Sequence, residues 1–236
     1  MLTVALTGGI AAGKSVVARV FEARGGVLFR ADEVARGLMA PGGPAVRPLV
    51  DRFGQDLVGP DGGVDRKKLA SIVFGDPAGR TEVNRIVHPL VEKARRAEVV
   101  RLEAEGRTDI FVSEAALTIE AGLEKGFDKV VVVWCPAEVQ AARLMARDGL
   151  GREEALRRIA AQMPAEEKLR YAGYVVDASG SLERTLAQAE AVWAKLLEDA
   201  AAKKKLKRVR PLPGPPQGRL RAAARRGMRI SWGPTK

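Results

Sequence analysis

A glycine-rich loop near the amino terminus constrains this chain more than any other feature. Residues 2–6 form a short apolar run, and they lead into Gly8, which Gly13, Lys14 and Ser15 follow at the spacing G-x-x-x-x-G-K-S. A buried strand before this pattern and a helix after it are the setting in which it forms a phosphate-binding loop (P-loop). The sequence therefore predicts a nucleoside triphosphate site.

Each position of the loop has a chemical reason. The glycines let the backbone turn so that successive N–H groups point at phosphate oxygens, at the positive end of the following helix. Lys14 is expected to reach the β and γ phosphates, and the hydroxyl of Ser15 is expected to hold Mg²⁺ together with water.

The net charge of +11 belongs to one end of the chain. Residues 203–236 hold 12 of the 40 Lys and Arg and no Asp or Glu, which leaves 28 basic and 29 acidic residues in residues 1–202. The same segment contains five prolines and few large apolar residues, so it is predicted to be a disordered tail. A solvated extension and weak binding to nucleic acid or another acidic surface both stay open.

Other patterns limit the class of protein. No apolar run approaches the roughly 20 residues that span a bilayer, and no basic and then apolar leader precedes the first strand, so a cytoplasmic protein without membrane contact is expected. Cys135 is the single cysteine and follows a run of valines. It is expected to be a packing residue at a strand end and not a nucleophile.

Strand-like and helical patterns alternate along the chain. Further strands are predicted at residues 25–29, 109–112, 130–134 and 174–176, and closing helices at residues 136–147, 152–162 and 181–205. Residues 41–106 are helical and more polar, which indicates an inserted subdomain. The alternation predicts an α/β fold, a doubly wound parallel sheet with helices on both faces.

Asp32 stands where the second strand becomes a helix. Because ligands of parallel sheets lie at the carboxyl ends of the strands, Asp32 is expected to face the same crevice as the P-loop and to accept a hydroxyl proton there. An N-cap of the second helix is the alternative, and the two roles are compatible. His88, which precedes Pro89 among apolar residues, is expected to be a packed residue at a helix start.

Arg143 and Arg147 are four residues apart and share a helix face before a glycine-containing turn. They could close over ATP, neutralise phosphate charge and exclude water. The alternative is a pair of solvated arginines beside Glu138, Glu153 and Glu154.

Together these motifs resemble the dephospho-coenzyme A kinase family over about residues 1–195. The resemblance rests on the opening Thr-Gly-Gly-Ile at residues 7–10 with the P-loop, and on Ala31-Asp32, His88-Pro89-Leu90, the stretch from Arg143 to Gly149, and Arg158-Ile159 with Gln162. It implies transfer of the ATP γ-phosphoryl group to the ribose 3′-hydroxyl of dephospho-coenzyme A, the last step of coenzyme A synthesis.

The resemblance also implies a division of labour within a P-loop nucleotide kinase-like fold. Residues 1–31, 106–142 and 166–202 would form the core, residues 32–105 a helical acceptor-binding subdomain and residues 143–165 a lid. Asp32 is the expected base, and Lys14 and Arg143 complete the catalytic set. The expected ATP-binding residues are Gly8, Ala11, Ala12, Gly13, Lys14, Ser15, Val16 and Arg147. ATP is the expected co-substrate, with Mg²⁺ at Ser15.

The chain departs from the usual family pattern at four places. Arg30 replaces an Asp, Glu114 is one carbon longer than the usual Asp, residues 116–120 read Ala-Leu-Thr-Ile-Glu in place of Pro-Leu-Leu-Phe-Glu, and Ala178 replaces an Asn. These changes are expected to affect affinity more than transfer.

Three other functions are alternatives to a dephospho-coenzyme A kinase. Another small-molecule kinase, such as a nucleotide or shikimate kinase, would differ in its acceptor subdomain. A regulatory GTPase would need a guanine-reading Asn/Thr-Lys-x-Asp segment, and none occurs in the sequence. A nucleic-acid-binding protein would rest on the basic tail alone.

Overall fold

A five-stranded parallel sheet forms the centre of the molecule. The computed structural model describes residues 1–73 and 76–209. The strands in this part of the chain are β1 (Leu2–Gly8), β2 (Val27–Arg30), β3 (Ile110–Glu114), β4 (Lys129–Trp134) and β5 (Tyr174–Asp177). They lie in the order β2-β3-β1-β4-β5, and each neighbouring pair is parallel. β1 is central, so the P-loop leaves the sheet at its middle.

The strands follow from residue type. The four consecutive valines of β4, residues 130–133, are each at most 8% exposed. β-branched side chains favour extended backbone, and the strands of a parallel sheet are covered on both faces. The predicted α/β fold with a parallel sheet is confirmed.

The helices alternate with the strands as the sequence predicts. They are α1 (Lys14–Ala23), α2 (Ala31–Leu38), α3 (Val46–Phe53), α4 (Arg66–Val73), α5 (Pro77–Glu105), α6 (Ala137–Asp148), α7 (Arg152–Ala160), α8 (Ala165–Lys168) and α9 (Leu182–Val209). Across the described ranges, no helix is both long and apolar enough to cross a membrane.

Both faces of the sheet are covered. On one face α1 and α9 pack on β1, where Val4, Phe21 and Leu196 are fully buried. On the other face the second half of α5 packs on β2 and β3, with Leu102 against Phe111. These contacts hold the carboxyl ends of the strands, and the loops that leave them, in fixed positions.

A helical subdomain with its own core lies between β2 and β3. Leu49 of α3 and Leu69 of α4 pack there with Val87 of α5. α5 is shared between two cores, because its second half covers the sheet. His88 and Pro89 lie inside this 29-residue helix, so the prediction that His88 fixes a helix start is wrong. Packing on both sides of Pro89 carries the helix through a position that proline disfavours.

The last helix is longer than predicted. α9 continues to Val209, four residues beyond the predicted end of the helix at residue 205 and seven beyond the expected end of the domain at residue 202. Nζ of Lys203 lies 2.5 Å from a carboxylate oxygen of Asp128, and Lys204 pairs with Asp109. These ion pairs attach α9 to the amino ends of β3 and β4, so the first part of the expected disordered tail is helical. Residues 210–236 of that tail lie outside the described residues.

Candidate active site

The P-loop turns sharply at the carboxyl end of β1. Gly8 and Gly13 have φ values of 151° and 101°, which favour glycine. A Cβ on Gly8 would lie 2.2 Å from the carbonyl oxygen of Val133, so no larger residue fits. α1 begins at Lys14 and runs for ten residues, which places the positive end of its dipole against the loop. The strand, loop and helix are arranged as the sequence predicts.

The side chain of Lys14 lies across the loop. Its Nζ donates to the carbonyl oxygens of Gly8 at 2.9 Å and Gly9 at 3.0 Å. Burial lowers the pKa of Lys14 to about 8, and the positive charge of Lys168 adds to the shift, whereas the carboxylates of Glu114, Asp32 and Glu120 oppose it. An anion bound beside this ammonium would favour its charged form.

Asp32 lies in the first turn of α2 with an exposed side chain. Arg30 is the residue at the N-cap, and no side chain caps the helix, so the interpretation of Asp32 as an N-cap is wrong. Among the contacts of the described residues, none is a hydrogen bond to the Asp32 carboxylate. Its charge acts on both Lys14 and Glu114, so the carboxylate lies near both side chains at the carboxyl edge of the sheet.

Glu114 ends β3 beside the P-loop. Burial raises the pKa of its carboxyl, although the nearby cations of Lys14 and Arg30 oppose the shift. Nε of Arg30 lies 3.9 Å from Glu114, and Nη2 of Arg30 lies 2.8 Å from Glu22 of α1. The arginine that departs from the usual family pattern is therefore held between two carboxylates.

The structure brings Arg143, and not Arg147, to the P-loop. Nη1 of Arg143 donates to the carbonyl oxygen of Ala12 at 3.4 Å, and Nη2 donates to that of Ala178 at 2.7 Å. Arg147 lies one helical turn further on, exposed and paired with Asp148 at 2.7 Å. Arg143 thus joins the loop to the residue that follows β5, whereas Arg147 would have to leave its partner to reach a phosphate.

The acidic residues expected beside this pair bind other arginines. Glu138 pairs with Arg152, and Glu153 and Glu154 pair with Arg157. The alternative of a solvated pair beside these carboxylates therefore does not describe Arg143.

An apolar cavity of about 100 Å³ opens beside Asp32. Its walls come from the ends of β2 and β3, from the first turn of α2, from α5 and from the β3–β4 loop, which we define as residues 115–128. His88 borders it, and burial lowers the pKa of this imidazole. Arg95, 8% exposed, donates twice to Glu92 at 2.7 Å and lies 4.5 Å from the ring centre of Phe127. Sequence reasoning missed Arg95. The three-residue spacing from Glu92 was visible in the sequence, but the sequence did not show that this face of the helix borders the cavity.

A second buried cation lies between the P-loop and the cavity. Lys168, at the end of α8, is 0% exposed, and its Nζ lies 2.6 Å from Glu120 and 2.9 Å from the carbonyl oxygen of Ala116. Its charge contributes to the lowered pKa of Lys14. Sequence reasoning assigned Lys168 to no site, because its partners come from segments that are distant in sequence.

Ser15 is exposed in the first turn of α1. In the part of the chain that the structure describes, no cluster of three His, Cys, Asp or Glu could hold a metal ion. A hydroxyl at this position suits Mg²⁺ that takes its other ligands from phosphate and water, because Mg²⁺ keeps several waters and needs few protein ligands. Cys135 is buried and its pKa is raised by burial, so the thiol stays neutral and packs, as predicted.

The chain is similar in sequence to a family of kinases. The model of the dephospho-CoA kinase family matches residues 2–184. A dephospho-CoA kinase from Anaeromyxobacter dehalogenans is 44% identical over 196 residues, which cover 83% of this chain and 92% of that protein. A dephospho-CoA kinase from Geobacter sulfurreducens is 43% identical over 195 residues, which cover 83% of this chain and 98% of that protein.

Solved structures are similar as well. The crystal structure of TT1252 from Thermus thermophilus has a TM-score of 0.69 at 34% identity and covers 83% of this chain and 97% of that one. A dephospho-CoA kinase from Campylobacter jejuni has a TM-score of 0.62 at 25% identity and covers 82% of this chain and 96% of that one.

Proposed function

Since the chain belongs to the dephospho-CoA kinase family, we propose that it transfers the terminal phosphoryl group of ATP to the ribose 3′-hydroxyl of dephospho-CoA, with ATP on the P-loop and the acceptor beside Asp32. One observation carries the assignment of sites. The P-loop lysine and the cavity that borders Asp32 lie at the same edge of the sheet, and Asp32 acts electrostatically on Lys14. Phosphoryl transfer needs this proximity of donor and acceptor.

The ATP side of the site consists of groups that neutralise phosphate charge. The positive end of α1 faces the loop, Lys14 would turn from the carbonyl oxygens of Gly8 and Gly9 to the β and γ phosphates, and Arg143 already contacts the loop at Ala12. Mg²⁺ held by Ser15 and phosphate oxygens would supply further charge neutralisation. Arg147 would join after it leaves Asp148.

The acceptor side supplies the base. The carboxylate of Asp32 accepts the proton of the 3′-hydroxyl as that oxygen forms a bond to the γ-phosphorus. The bond between the γ-phosphorus and the β,γ-bridging oxygen breaks, and its electron pair leaves with ADP. A base aligned with the acceptor hydroxyl typically contributes 10²- to 10⁴-fold to the rate. The apolar lining of the cavity would keep water, the competing acceptor, from this position.

The division into parts supports the same mechanism. We propose residues 1–31, 106–142 and 166–202 as the nucleotide-binding core, residues 32–105 as the acceptor-binding subdomain and residues 143–165 as the lid. The separate apolar core around Leu49 and Leu69 supports the second assignment. The apolar cluster that Leu144 of α6 forms with Ala155 of α7 supports the third assignment.

A coupled assay of ADP release tests the proposal. Dephospho-CoA, adenosine, shikimate and no acceptor are compared with ATP and Mg²⁺, and the product is identified by mass. Phosphorylation confined to dephospho-CoA is expected. Bound ATP with transfer to shikimate or adenosine instead would leave the ATP site in place and refute the acceptor.

Weak binding of nucleic acid by residues 203–236 is a separate proposal. Its support is the run of 12 cations without an acidic residue. Because Lys203 and Lys204 pair with residues at the amino ends of β4 and β3, this segment begins at the edge of the sheet opposite the P-loop. Removing residues 210–236, which hold seven of the 12 cations, should leave kinase activity intact and weaken the salt-dependent binding of an RNA 20-mer. Unchanged binding would refute this second role.

A further inference from the structure

We infer that the ion pair between Lys168 and Glu120 couples the ATP site to the acceptor cavity, with Lys168 as a positioning residue. The inference rests on the proposed function, because that proposal assigns the cavity beside Asp32 to the acceptor. Three sets of contacts carry it: those of Lys168 with the β3–β4 loop, those of the P-loop with the same network, and those of the loop with the cavity.

Lys168 holds the β3–β4 loop at two points. Its Nζ lies 2.6 Å from Oε1 of Glu120 and donates to the carbonyl oxygen of Ala116 at 2.9 Å. The lysine side chain is 0% exposed, and that of Glu120 is 21% exposed. A charge in such a place is stable only with its partner, since separating the two leaves a buried ion without compensation. The loop and the end of α8 therefore have to move together.

The same network reaches the P-loop by two routes. The carbonyl oxygen of Ala116 also accepts the hydroxyl of Thr7, the residue directly before Gly8, at 3.2 Å. At the tip of the P-loop, the N–H of Ile10 donates to Oε1 of Gln162 at 2.8 Å, and the next residue, Met163, donates its N–H to Glu120 at 3.2 Å. A shift of the P-loop at either end is thus transmitted to the residues that hold Lys168.

The β3–β4 loop is also the wall that has to move for the acceptor. The cavity has about 100 Å³, less than the roughly 300–1,000 Å³ of sites that enclose a drug-sized ligand. The β3–β4 loop contributes Leu117, Thr118, Leu123 and Phe127 to the cavity wall, and the two leucines are 38% and 36% exposed. The remaining wall residues belong to the sheet, to α5 and to the first turn of α2, where Ala31 and Asp32 lie. The sheet and α5 are packed into the cores. Entry of a nucleoside therefore displaces the loop that Lys168 holds.

Coupling between the sites follows from these contacts. If ATP on the P-loop changes the arrangement of the network, it changes the work needed to open the cavity, and by linkage the acceptor changes ATP affinity by the same factor. Typical couplings of this kind are about 5- to 150-fold. If the ion pair only stabilised the fold, its removal would lower the melting temperature and leave the coupling factor between the two sites unchanged.

The test measures the dissociation constant of dephospho-CoA by calorimetry, with and without adenosine 5′-(β,γ-imido)triphosphate. In the unmodified protein the analogue is expected to change acceptor affinity at least about 5-fold. The double variant Lys168→Met/Glu120→Gln removes both charges of the ion pair, so neither charge is left buried without its partner. It is expected to bind the analogue within about 3-fold of the unmodified protein, to show a coupling factor near 1 and to lose about 10-fold or more in kcat.

Leu196→Ala is the matched control for stability. Leu196 is 0% exposed in α9 and belongs to neither site, so its truncation should lower the melting temperature and keep the coupling. Equal loss of coupling in this control, or full coupling and kcat in the double variant, would overturn the inference.

Hydrogen exchange separates this inference from the proposed function. The analogue alone should change the protection of residues 115–128 in the unmodified protein and not in the double variant, whatever the acceptor is. Such a change without phosphorylation of dephospho-CoA would support the coupling and refute the acceptor. Phosphorylation without any change in protection or affinity would refute the coupling alone.

Discussion

Replacement of Asp32 by Asn isolates the proposed base with little structural disturbance. The side chain is exposed, and within the described residues no hydrogen bond to its carboxylate is lost. A carboxylate in the first turn of a helix contributes about 0.3–1 kcal/mol through the helix dipole, so Asp32→Asn should lower the free energy of unfolding by no more than that. Loss of a base should lower kcat by about 10²- to 10⁴-fold, or about 3–5 kcal/mol in the barrier.

The matched control is Glu33→Gln. Glu33 is exposed in the same turn of α2 and, like Asp32, acts electrostatically on Glu114, but it does not border the cavity. Steady-state kinetics with ATP and dephospho-CoA should show Glu33→Gln within about 3-fold of the unmodified protein and an unchanged KM for ATP in Asp32→Asn. A kcat within about 3-fold in Asp32→Asn, or an equal fall in both variants, would refute the role of Asp32 as base.

Three further results are expected. Lys14→Met should weaken both ATP binding, measured by calorimetry, and turnover, because it removes the cation of the loop; an unaffected enzyme would contradict the P-loop assignment. Arg143→Gln should lower kcat/KM for ATP by about 10²-fold and Arg147→Gln by less, because only the first contacts the loop in the described residues; the reverse order would show that Arg147 carries the charge. Burial lowers the pKa of His88, so the neutral imidazole adds stability at pH values above its ordinary pKa of about 6.5, and this stability is lost as the pH falls. The melting temperature of His88→Gln should therefore fall less on acidification than that of the unmodified protein. Parallel plots of melting temperature against pH for the two proteins would contradict this.

Several elements of the fold could be predicted from short stretches of the sequence. The strand before Gly8, the helix after Lys14 and the valines of β4 each give a signal within about ten residues, and all of them form as predicted. The position of Asp32 at the P-loop edge follows from the parallel sheet. His88 was misplaced because the residue before a proline usually leaves the helix, whereas the two cores that share α5 keep it helical.

Residues whose role depends on distant loops could not be found in the same way. Lys168 is buried because α8, the β3–β4 loop and the end of β1 meet around it, with Ala116 and Thr7 far away in sequence. Arg30 looked like the loss of a carboxylate, but its partners Glu22 and Glu114 come from α1 and β3. Its guanidinium therefore lies between Glu22 and Glu114, an arrangement that no local pattern contains.

The cations of the ATP site explain why a triphosphate is the expected ligand. Lys14 and Arg143 are each satisfied by two carbonyl oxygens of the protein, and a phosphate has to replace these partners before it gains anything. Each exchanged hydrogen bond leaves a net gain of only about 0.5–1.5 kcal/mol, or about 1.5–3 kcal/mol where a group is charged. A single phosphate is therefore a weak ligand for such a site. A chain of three phosphates engages the helix end, Lys14 and Arg143 at once, so the gains add while the loss of translational freedom is met once. Inorganic phosphate and AMP should accordingly compete poorly with ATP.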